Sequence, residues 1–425
     1  MLTHSKFFTL WLFGLISGFT IMISGNSLNY WLAKENIELQ SIGIFASILL
    51  PYSINFLWAP VFDTIKLGAL GKLFGHRLAW LIIIQMILAI FVLILSFLRP
   101  QDSLLLFAFV GFIVAFFGSA QDTILGALRT EIISKELQGP ASGIYIFGYR
   151  IGMLISSSGA IYLSASMGWN KIYQLFALSI IIYSIILILS IRHLRKELDH
   201  DQIISKQSLS SSVTIHAIIS FIKGVLQPVG SLSYIILISI FLILYRLPDN
   251  FINVMINPFL LHLEYDEFEI ASAGKFFGVI SAIIGGVVAS FIMKRKTILD
   301  SLLIFGIIHA LAHTLFILQE IYGKNFLLLF MSIGFEGITG GMTMTAYIAF
   351  IASICQGKFR ATQYSFFSSM MGLSRSIFPA LSGYIVVKFG WHSFFVFITL
   401  ATIPSLLFIL KIKYKLNQIR TAFNK

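Results

Sequence analysis

Residues 231–261 read SLSYIILISIFLILYRLPDNFINVMINPFLL, an apolar run long enough to cross a bilayer that nevertheless contains two charges. A membrane-spanning helix needs about 20 predominantly apolar residues. Arg246 and Asp249 lie in the middle of this run, where an ionised side chain costs roughly 2.5 to 3.5 kcal/mol on insertion scales. Charges of both signs at this depth indicate mutual partners and a polar interior, most simply a solute pathway.

The rest of the chain repeats this apolar pattern. Of its 425 residues, 57% are hydrophobic and 11% are charged, whereas a soluble domain has about 25% charged residues. The composition therefore predicts an all-α integral membrane protein with about twelve transmembrane helices in two six-helix bundles. The predicted spans are residues 7–32, 43–62, 78–98, 103–128, 141–165, 170–191, 231–261, 270–293, 298–318, 325–353, 361–387 and 391–411.

The distribution of cations predicts the orientation of the chain. With the N-terminus inside, 21 of the 30 Lys and Arg residues fall in cytoplasmic segments and 5 in external loops. Positive charge is enriched on the cytoplasmic side of membrane proteins, so we expect both termini to be cytoplasmic. The net charge of +12 follows from this bias and favours anionic lipid, rather than nucleic acid, as the polyanionic partner.

The length of the first span and the number of cysteines restrict the class of protein further. The first span is too long for the apolar core of a signal peptide, so we expect it to be a retained helix. Cys355 is the single cysteine, which excludes an intramolecular disulfide and offers no cysteine cluster for a metal.

A polar interval rich in serine divides six spans from the other six. The predicted domains are an N-terminal bundle at 1–191, a cytoplasmic linker at 192–230, a C-terminal bundle at 231–411 and a cytoplasmic tail at 412–425. The sixth span opens with Gly168-Trp169 and the twelfth with Gly390-Trp391. The repeated Gly-Trp dipeptide favours a duplicated six-helix unit, a feature of many secondary transporters.

Seven charged side chains lie toward the middle of the predicted spans rather than at their ends. They are Asp122, Arg150, Arg246, Asp249, Lys275, Glu336 and Arg375. A helical rise of 1.5 Å per residue puts Asp249, Glu336 and Arg375 roughly 17 to 21 Å from a membrane edge. That depth is near the midplane, where the binding sites of transporters usually lie.

Two of these charges pose a choice between a structural and a functional role. Asp122 and Arg150 lie at comparable depth in the consecutive fourth and fifth spans and can meet across the hairpin. Their pairing would lower the free energy of burying either charge. The pair either locks two helices together or gates a protonatable carboxylate beside a neighbouring arginine.

The seventh span contains both a charge pair and two helix breakers. Arg246 and Asp249 are three residues apart, so a purely local ion pair is an alternative to a shared site. Pro248 and Pro258 remove backbone donors, which predicts either an unwound, hydrated wall or a tolerated kink.

His309 and His313 stand four residues apart on one face of the ninth span. This spacing can chelate a metal, but no third ligand with suitable spacing accompanies them in the sequence. We therefore expect packing or hydrogen-bonding histidines, and no metal or cofactor. We also find no nucleophile elbow, phosphate loop or HExxH zinc motif, so an enzyme is not expected. A sensor is disfavoured because no soluble output domain is present.

Several strings in both halves together resemble one family, the AmpG muropeptide permeases of the major facilitator superfamily. The strings are Phe56-Leu57-Trp58-Ala59-Pro60 with Asp63, Gln121-Asp122, Gly148-Tyr149-Arg150-Ile151-Gly152-Met153-Leu154, Tyr245-Arg246-Leu247-Pro248-Asp249, Phe335-Glu336, Gly340-Gly341-Met342, Cys355 and Ala361-Thr362-Gln363. The resemblance covers most of the membrane region.

The resemblance implies a two-bundle fold in which helices one, four, seven and ten line a central cavity. It implies symport of protons with N-acetylglucosaminyl-anhydro-N-acetylmuramic acid, with or without peptide, across the bacterial inner membrane during peptidoglycan recycling. A carboxylate at Asp122 is the coupling group that the family leads us to expect. We expect a monomer whose partners are this glycopeptide solute, protons and lipid.

Depth and resemblance together give the candidate site residues. The proton-coupling candidates are Asp122, Asp249 and Glu336, and the solute-binding candidates are Asn26, Gln121, Tyr149, Arg150, Arg246, Lys275, Gln363 and Arg375.

The chain departs from the family pattern at two places. A second acid and an aromatic usually follow the Gln-Asp pair, where this chain has Gly126-Ala127-Leu128, and an arginine-rich loop is reduced to Gly75-His76-Arg77. The missing acid bears on coupling and on substrate choice. The alternative function is therefore a major facilitator transporter of another bulky anion, such as a coenzyme A ester.

Overall fold

The regular secondary structure of the described residues is entirely helical. A computed structural model of the protein describes residues 4–58, 61–62, 65, 67–132, 138–198, 232–355 and 360–423. The side chains at 4, 56, 130–132, 138–143, 192–198, 232–234, 274–275, 360–365 and 414–423 are not included in this description. Ala59, Pro60 and Asp63, which contribute to the family resemblance, lie outside the described residues.

The α-helices are long where the sequence is apolar, because a helix satisfies its own backbone hydrogen bonds in lipid. Within the described residues they are α1 (His4–Ser24), α2 (Asn26–Lys34), α3 (Leu39–Phe45), α4 (Leu50–Ser53), α5 (Gly68–Phe74), α6 (His76–Phe97), α7 (Leu104–Ile132), α8 (Gln138–Leu154), α9 (Ala160–Met167), α10 (Trp169–Leu198), α11 (Leu232–His262), α12 (Glu267–Glu269), α13 (Gly278–Met293), α14 (Ile298–Tyr322), α15 (Phe326–Ile354), α16 (Arg360–Ser376) and α17 (Ser382–Phe423). Segments of 3-10 helix occupy 46–49, 55–57 and 378–381, and π-helical turns occupy Ile155–Gly159 and Ile270–Phe277.

Ten helices in the described part of the chain are long and apolar enough to cross a membrane, compared with the twelve predicted. The difference has two sources. The predicted eleventh and twelfth spans form one segment, Phe366–Lys413, and the predicted second span appears as the shorter apolar helix Leu39–Ser53. The long segment is not straight, because Gly390 within it has a non-helical conformation.

Glycines with positive φ separate consecutive helices at three comparable corners. Gly75, Gly168 and Gly390 have φ/ψ of 87°/157°, 76°/158° and 78°/169°. This region of φ/ψ space is essentially restricted to glycine. Gly168 and Gly390 therefore turn the chain in the same way just before Trp169 and Trp391, which supports the duplication inferred from those two dipeptides.

The chain divides into two compact units, each with its own internal packing. The first comprises residues 1–35 and 54–213, and the second comprises residues 36–53 and 214–425. Residues 36–53 thus group with the second unit, although they precede the predicted boundary at 191. Helix α10 continues to Leu198, and the rest of the predicted linker lies outside the described residues.

Close backbone contacts hold the helices of the first unit together. Helices α1 and α8 meet through glycines on both sides, since a Cβ atom at Gly18 would lie 1.9 Å from the Tyr149 carbonyl oxygen and one at Gly152 would lie 2.0 Å from that of Leu15. Small residues allow the two backbones to approach closely, and the resulting van der Waals packing stabilises the association of the helices in lipid.

Glycines also allow close backbone contacts between helices of the second unit. A Cβ atom at Gly285 of α13 would lie 1.9 Å from the Ile338 carbonyl oxygen, and one at Gly341 of α15 would lie 2.1 Å from that of Ala282. A Cβ atom at Gly383 of α17 would lie 1.9 Å from the Leu39 carbonyl oxygen. The last contact explains why the short helix α3 groups with the second unit.

Candidate functional site

A cluster of polar side chains is buried in the second unit. We call Arg246 and Asp249 of α11, His309 and His313 of α14, and Thr339 of α15 the charge cluster. Asp249 is 3% exposed, His309 is 4% exposed and His313 is fully buried. A buried ionised group needs partners to offset its desolvation, so the contacts within the cluster decide what it can do.

Asp249 has a different partner on each carboxylate oxygen. Its Oδ2 pairs with an Arg246 guanidinium nitrogen one turn earlier on the same helix, which confirms the local ion pair that the sequence allowed. Its Oδ1 lies 2.5 Å from Nε2 of His309 and 3.9 Å from Nε2 of His313. The carboxylate thus joins α11 to α14, and the third group that the histidine spacing lacked comes from another helix.

The second ring nitrogen of His309 is also hydrogen bonded. Its Nδ1 lies 2.6 Å from Oγ1 of Thr339, which in turn lies 2.6 Å from the Phe335 carbonyl oxygen. The expectation of a hydrogen-bonding histidine is confirmed. The neighbouring His313 ring packs against that of His309 at 4.4 Å between centroids, and neither of its nitrogens makes a hydrogen bond to a described side chain or backbone group.

Helix α11 stays continuous through both prolines, so the prolines are tolerated within the helix and the unwound wall does not form. The turn before Pro248 finds side-chain donors. Ser374 donates to the Ile243 carbonyl oxygen at 3.0 Å, and Tyr347 donates to that of Leu242 at 3.2 Å. These donors reach carbonyl groups beside that of Leu244, whose usual helical donor is the amide that Pro248 lacks.

The two remaining charges predicted near the midplane of the second unit have different surroundings. Glu336 is half-buried on α15 and lies within electrostatic range of His309. Arg375 is half-buried at the end of α16, and its buried Nε has no hydrogen-bond partner among the described groups. The structure therefore brings Asp249 and Glu336 to the same histidine.

In the first unit, Gln121 serves to connect helices. It is fully buried on α7, its Oε1 accepts from Gln85 at 3.1 Å, and its Nε2 donates to Thr20 at 3.1 Å. The amide thus links α1, α6 and α7. Its two polar atoms are used inside the unit, so it stays a solute-binding candidate by prediction only.

Asp122 follows Gln121 and is half-buried. The Tyr145 hydroxyl on α8 lies within electrostatic range of both Asp122 and Arg129, and the Arg129 guanidinium lies 5.0 Å from the centre of the Tyr145 ring. Arg150, the predicted partner of Asp122, is half-buried about one and a half turns further along α8. Its pairing with Asp122 stays a prediction.

Asn26 lies where two irregular segments of the first unit meet. It follows Gly25, at which the first span breaks into α1 and α2, and its Oδ1 accepts from Ser157 at 2.9 Å. Ser157 belongs to the π-helical turn of the fifth span, and Ser27 also donates to the Ser156 carbonyl oxygen there. π-Helical turns within α-helices are frequent at functional sites.

The structure describes little of the surroundings of three further candidates. Tyr149 is half-buried, and its ring stacks on that of Tyr145 at 6.4 Å between centroids. The side chains of Lys275 and Gln363 lie outside those that the structure describes. The roles assigned to these residues stay predictions.

His309 and Thr339 are the partners that the sequence reading did not connect with Asp249. One signal was available, because His309 stands 11 residues into the helix that begins at Ile298, roughly 16 Å deep at 1.5 Å per residue. A polar ring at the depth of the predicted carboxylates indicates a partner for them. Thr339 gave no such signal, since threonine is common in membrane helices.

Sequence comparison now assigns the family. The profile of the Major Facilitator Superfamily matches residues 10–320 and 238–423. A protein named "Putative transporter AmpG 1" from Rickettsia bellii is 65% identical over 96% of this chain and 98% of its own length. The chain belongs to the Major Facilitator Superfamily. Its resemblance to the AmpG permeases is confirmed, and the protein is a transporter rather than an enzyme.

A second relative and the solved structures widen the comparison. The "Anhydromuropeptide permease" of Escherichia coli K12 is 28% identical over 97% of this chain and 80% of its own length. The crystal structure of a D-xylose-proton symporter has a TM-score of 0.71 at 13% identity and covers 96% of this chain and 97% of its own. That of the nucleoside transporter NupG has a TM-score of 0.67 at 16% identity and covers 95% and 99%.

These similarities confirm the all-helical fold class of this major facilitator protein. Together with the ten apolar helices they also confirm that it is a multi-pass membrane protein, as predicted for a bacterial inner membrane. At this level of identity the solved structures bear on the fold alone.

Proposed function

We propose that this major facilitator protein imports muropeptides, namely N-acetylglucosaminyl-anhydro-N-acetylmuramic acid with or without peptide, together with protons. Similarity along 97% of the chain to a relative named anhydromuropeptide permease supports the choice of solute. The single observation that carries the coupling to protons is the buried contact of Asp249 with both Arg246 and His309.

The physical argument for coupling concerns charge in a dry environment. An ionisable group inside a membrane helix is by default a candidate functional residue. Its burial is unfavourable, so such groups are rare and mark solute pathways and proton relays. The charge cluster contains groups that gain or lose a proton, and its contacts join helices α11, α14 and α15. A change in protonation therefore alters which helices hold one another, as transport by rocking of repeats requires.

We assign the remaining candidates within the same proposal. Asp122 and Glu336 are further carboxylates for coupling, each close to a titratable ring, Tyr145 and His309 respectively. Arg150 and Arg375 are cations for the carboxylates of a peptide stem. Tyr149 offers an aromatic face for a sugar ring.

The test measures uptake by purified protein in proteoliposomes. Radiolabelled anhydromuropeptide should accumulate inside when the external pH is lower than the internal pH, and an uncoupler should abolish the accumulation. Acetyl-coenzyme A serves as the control solute. Uptake of the coenzyme A ester without uptake of the muropeptide would contradict the proposed cargo and transfer the assignment to the alternative solute.

A further inference from the structure

The hydrogen bonds around His309 determine where its ring hydrogens lie. Thr339 Oγ1 is 2.6 Å from the Phe335 carbonyl oxygen and 2.6 Å from His309 Nδ1. A hydroxyl has one hydrogen and a carbonyl oxygen only accepts. Thr339 must therefore donate to Phe335, and its lone pair must accept from His309. The Nδ1 atom consequently carries a hydrogen.

The other ring nitrogen faces a carboxylate. His309 Nε2 lies 2.5 Å from Asp249 Oδ1. A neutral ring that already has its hydrogen on Nδ1 presents only a lone pair at Nε2, and an ionised carboxylate also presents only lone pairs. Two acceptors would repel at this distance, so one additional proton must lie between them. Since Arg246 pairs with Asp249 and favours the ionised carboxylate, the proton belongs on Nε2.

We propose that the transported proton binds in this contact, on Nε2 of His309 facing Oδ1 of Asp249. The inference rests on the proposed function and names a carrier for its proton other than the predicted carboxylates. Binding converts a neutral imidazole to imidazolium without breaking a covalent bond, and release returns the proton to water. On release, the hydrogen-bond donor on Nε2 is lost and two acceptors face each other, so α14 and α11 lose this one of the hydrogen bonds between them.

Other titratable and charged groups surround this contact. Arg246 and Tyr245 face it from α11, Glu336 from α15 and His313 from α14 itself. The Tyr245 hydroxyl donates a hydrogen bond to the Leu302 carbonyl oxygen at 3.0 Å. Glu336 supplies a second negative charge in electrostatic range of His309.

Among the described side chains, the remaining helices that pack on α14 add no charge near the ring. From α17, His392 pairs with Glu320 and Lys413 pairs with Asp300, about 16 and 13 Å along α14 from His309 respectively. Helix α13 has no titratable side chain between Gly278 and Met293. Within the part of the chain whose side chains are described, the groups named on α11, α14 and α15 are therefore the charged and titratable groups near the ring.

A metal ion is the competing occupant, because ligand atoms of Asp249, His309 and His313 lie within 4.8 Å of one another. Two ligands on tetrahedral zinc with bonds of about 2.0 Å lie about 3.3 Å apart. The contact of 2.5 Å between His309 and Asp249 is shorter than this and matches a hydrogen bond. The pairing of Asp249 with Arg246 also places a cation where a metal would be repelled.

The first experiment compares two transport modes of the variant His309→Gln in proteoliposomes. Exchange of labelled muropeptide at equal pH should persist, whereas accumulation driven by a pH gradient should be lost. His392→Gln is the matched control and should keep both activities, since His392 is a half-exposed histidine of α17 that pairs with Glu320 near one end of α14. Gradient-driven accumulation by His309→Gln equal to that of the control would overturn the proposal.

A second measurement decides the question without any solute. In nitrogen-15 NMR of purified protein labelled at histidine, the signals that disappear in His309→Gln should come from a ring protonated at both nitrogens near neutral pH. A neutral ring there would overturn the inference. Failure of the wild type to exchange muropeptide would instead refute the proposed cargo, while the NMR result would still stand for the proton site.

A second variant and a zinc-binding measurement can each refute the proposal. If His309→Gln does not fold, Thr339→Val removes the acceptor for the Nδ1 hydrogen, and the pH profile of accumulation should move to lower pH because the imidazolium loses a hydrogen bond. An unchanged profile counts against the proposal. Stoichiometric binding of Zn²⁺ by the wild type, lost in His309→Gln and required for transport, would establish the metal site in its place.

Discussion

Asp249 illustrates how a single residue in a membrane helix depends on its partners. The carboxylate is almost fully buried, and Arg246 and His309 offset its charge from two directions. Removing one member of a buried ion pair leaves the other without compensation, which is more harmful than replacing both by apolar groups. The charge cluster should therefore contribute to coupling more than to stability.

The change Arg246→Leu should destabilise the protein by about 3 to 5 kcal/mol, because the buried Asp249 carboxylate then loses its guanidinium partner. Thermal unfolding in detergent measures the effect. The double change Arg246→Leu with Asp249→Leu should recover most of the melting temperature and still fail to accumulate solute. A double variant no more stable than the single one would show that the pair contributes to stability in its own right.

Helices approach each other closely only where glycine replaces a side chain. In the first unit, Gly18 of α1 touches the backbone of α8 at Tyr149, whereas Gly126 of α7 has open space around it. The two positions look alike in the sequence, since both are glycines in apolar helices. Only the packing distinguishes a contact from a gap, so glycine alone does not predict a helix interface.

The change Gly18→Ala should lower stability by about 1 to 3 kcal/mol, because the new Cβ atom would lie 1.9 Å from a carbonyl oxygen and force α1 and α8 apart. Gly126→Ala is the matched control and should leave stability unchanged or raise it slightly, since alanine favours the helix. Melting temperatures in detergent compare the two. Equal effects would mean that the close contact between α1 and α8 is not required.

For the whole molecule, charge distribution and repeat symmetry are the features that bear on transport. The bias of cations toward one side of the membrane predicts the orientation of the chain. Gly168 and Gly390 turn the chain with nearly the same dihedral angles, as expected for duplicated halves. We propose accordingly that both termini are cytoplasmic, that the two six-helix bundles correspond to residues 1–191 and 231–411, and that the protein is a monomer.

Reporter fusions test the orientation. Green fluorescent protein fused after Lys425 should fluoresce, and alkaline phosphatase fused there should be inactive, because the tail carries cations that remain inside. Phosphatase fused in the loop at Lys324 should be active. An active phosphatase at the C-terminus would reverse the predicted topology and the direction assigned to import.

Sequence alone determined the membrane class, the superfamily resemblance and the depth of the charges, because hydrophobicity and helical rise are local properties that need no knowledge of contacts. Spacing on one helix also allowed the ion pair between Arg246 and Asp249, as one of two alternatives. The tertiary structure decided which helices meet. Asp249 and His309 are 60 residues apart in the chain, and their contact, like that of Thr339 with the same ring, arises only when α11, α14 and α15 pack together.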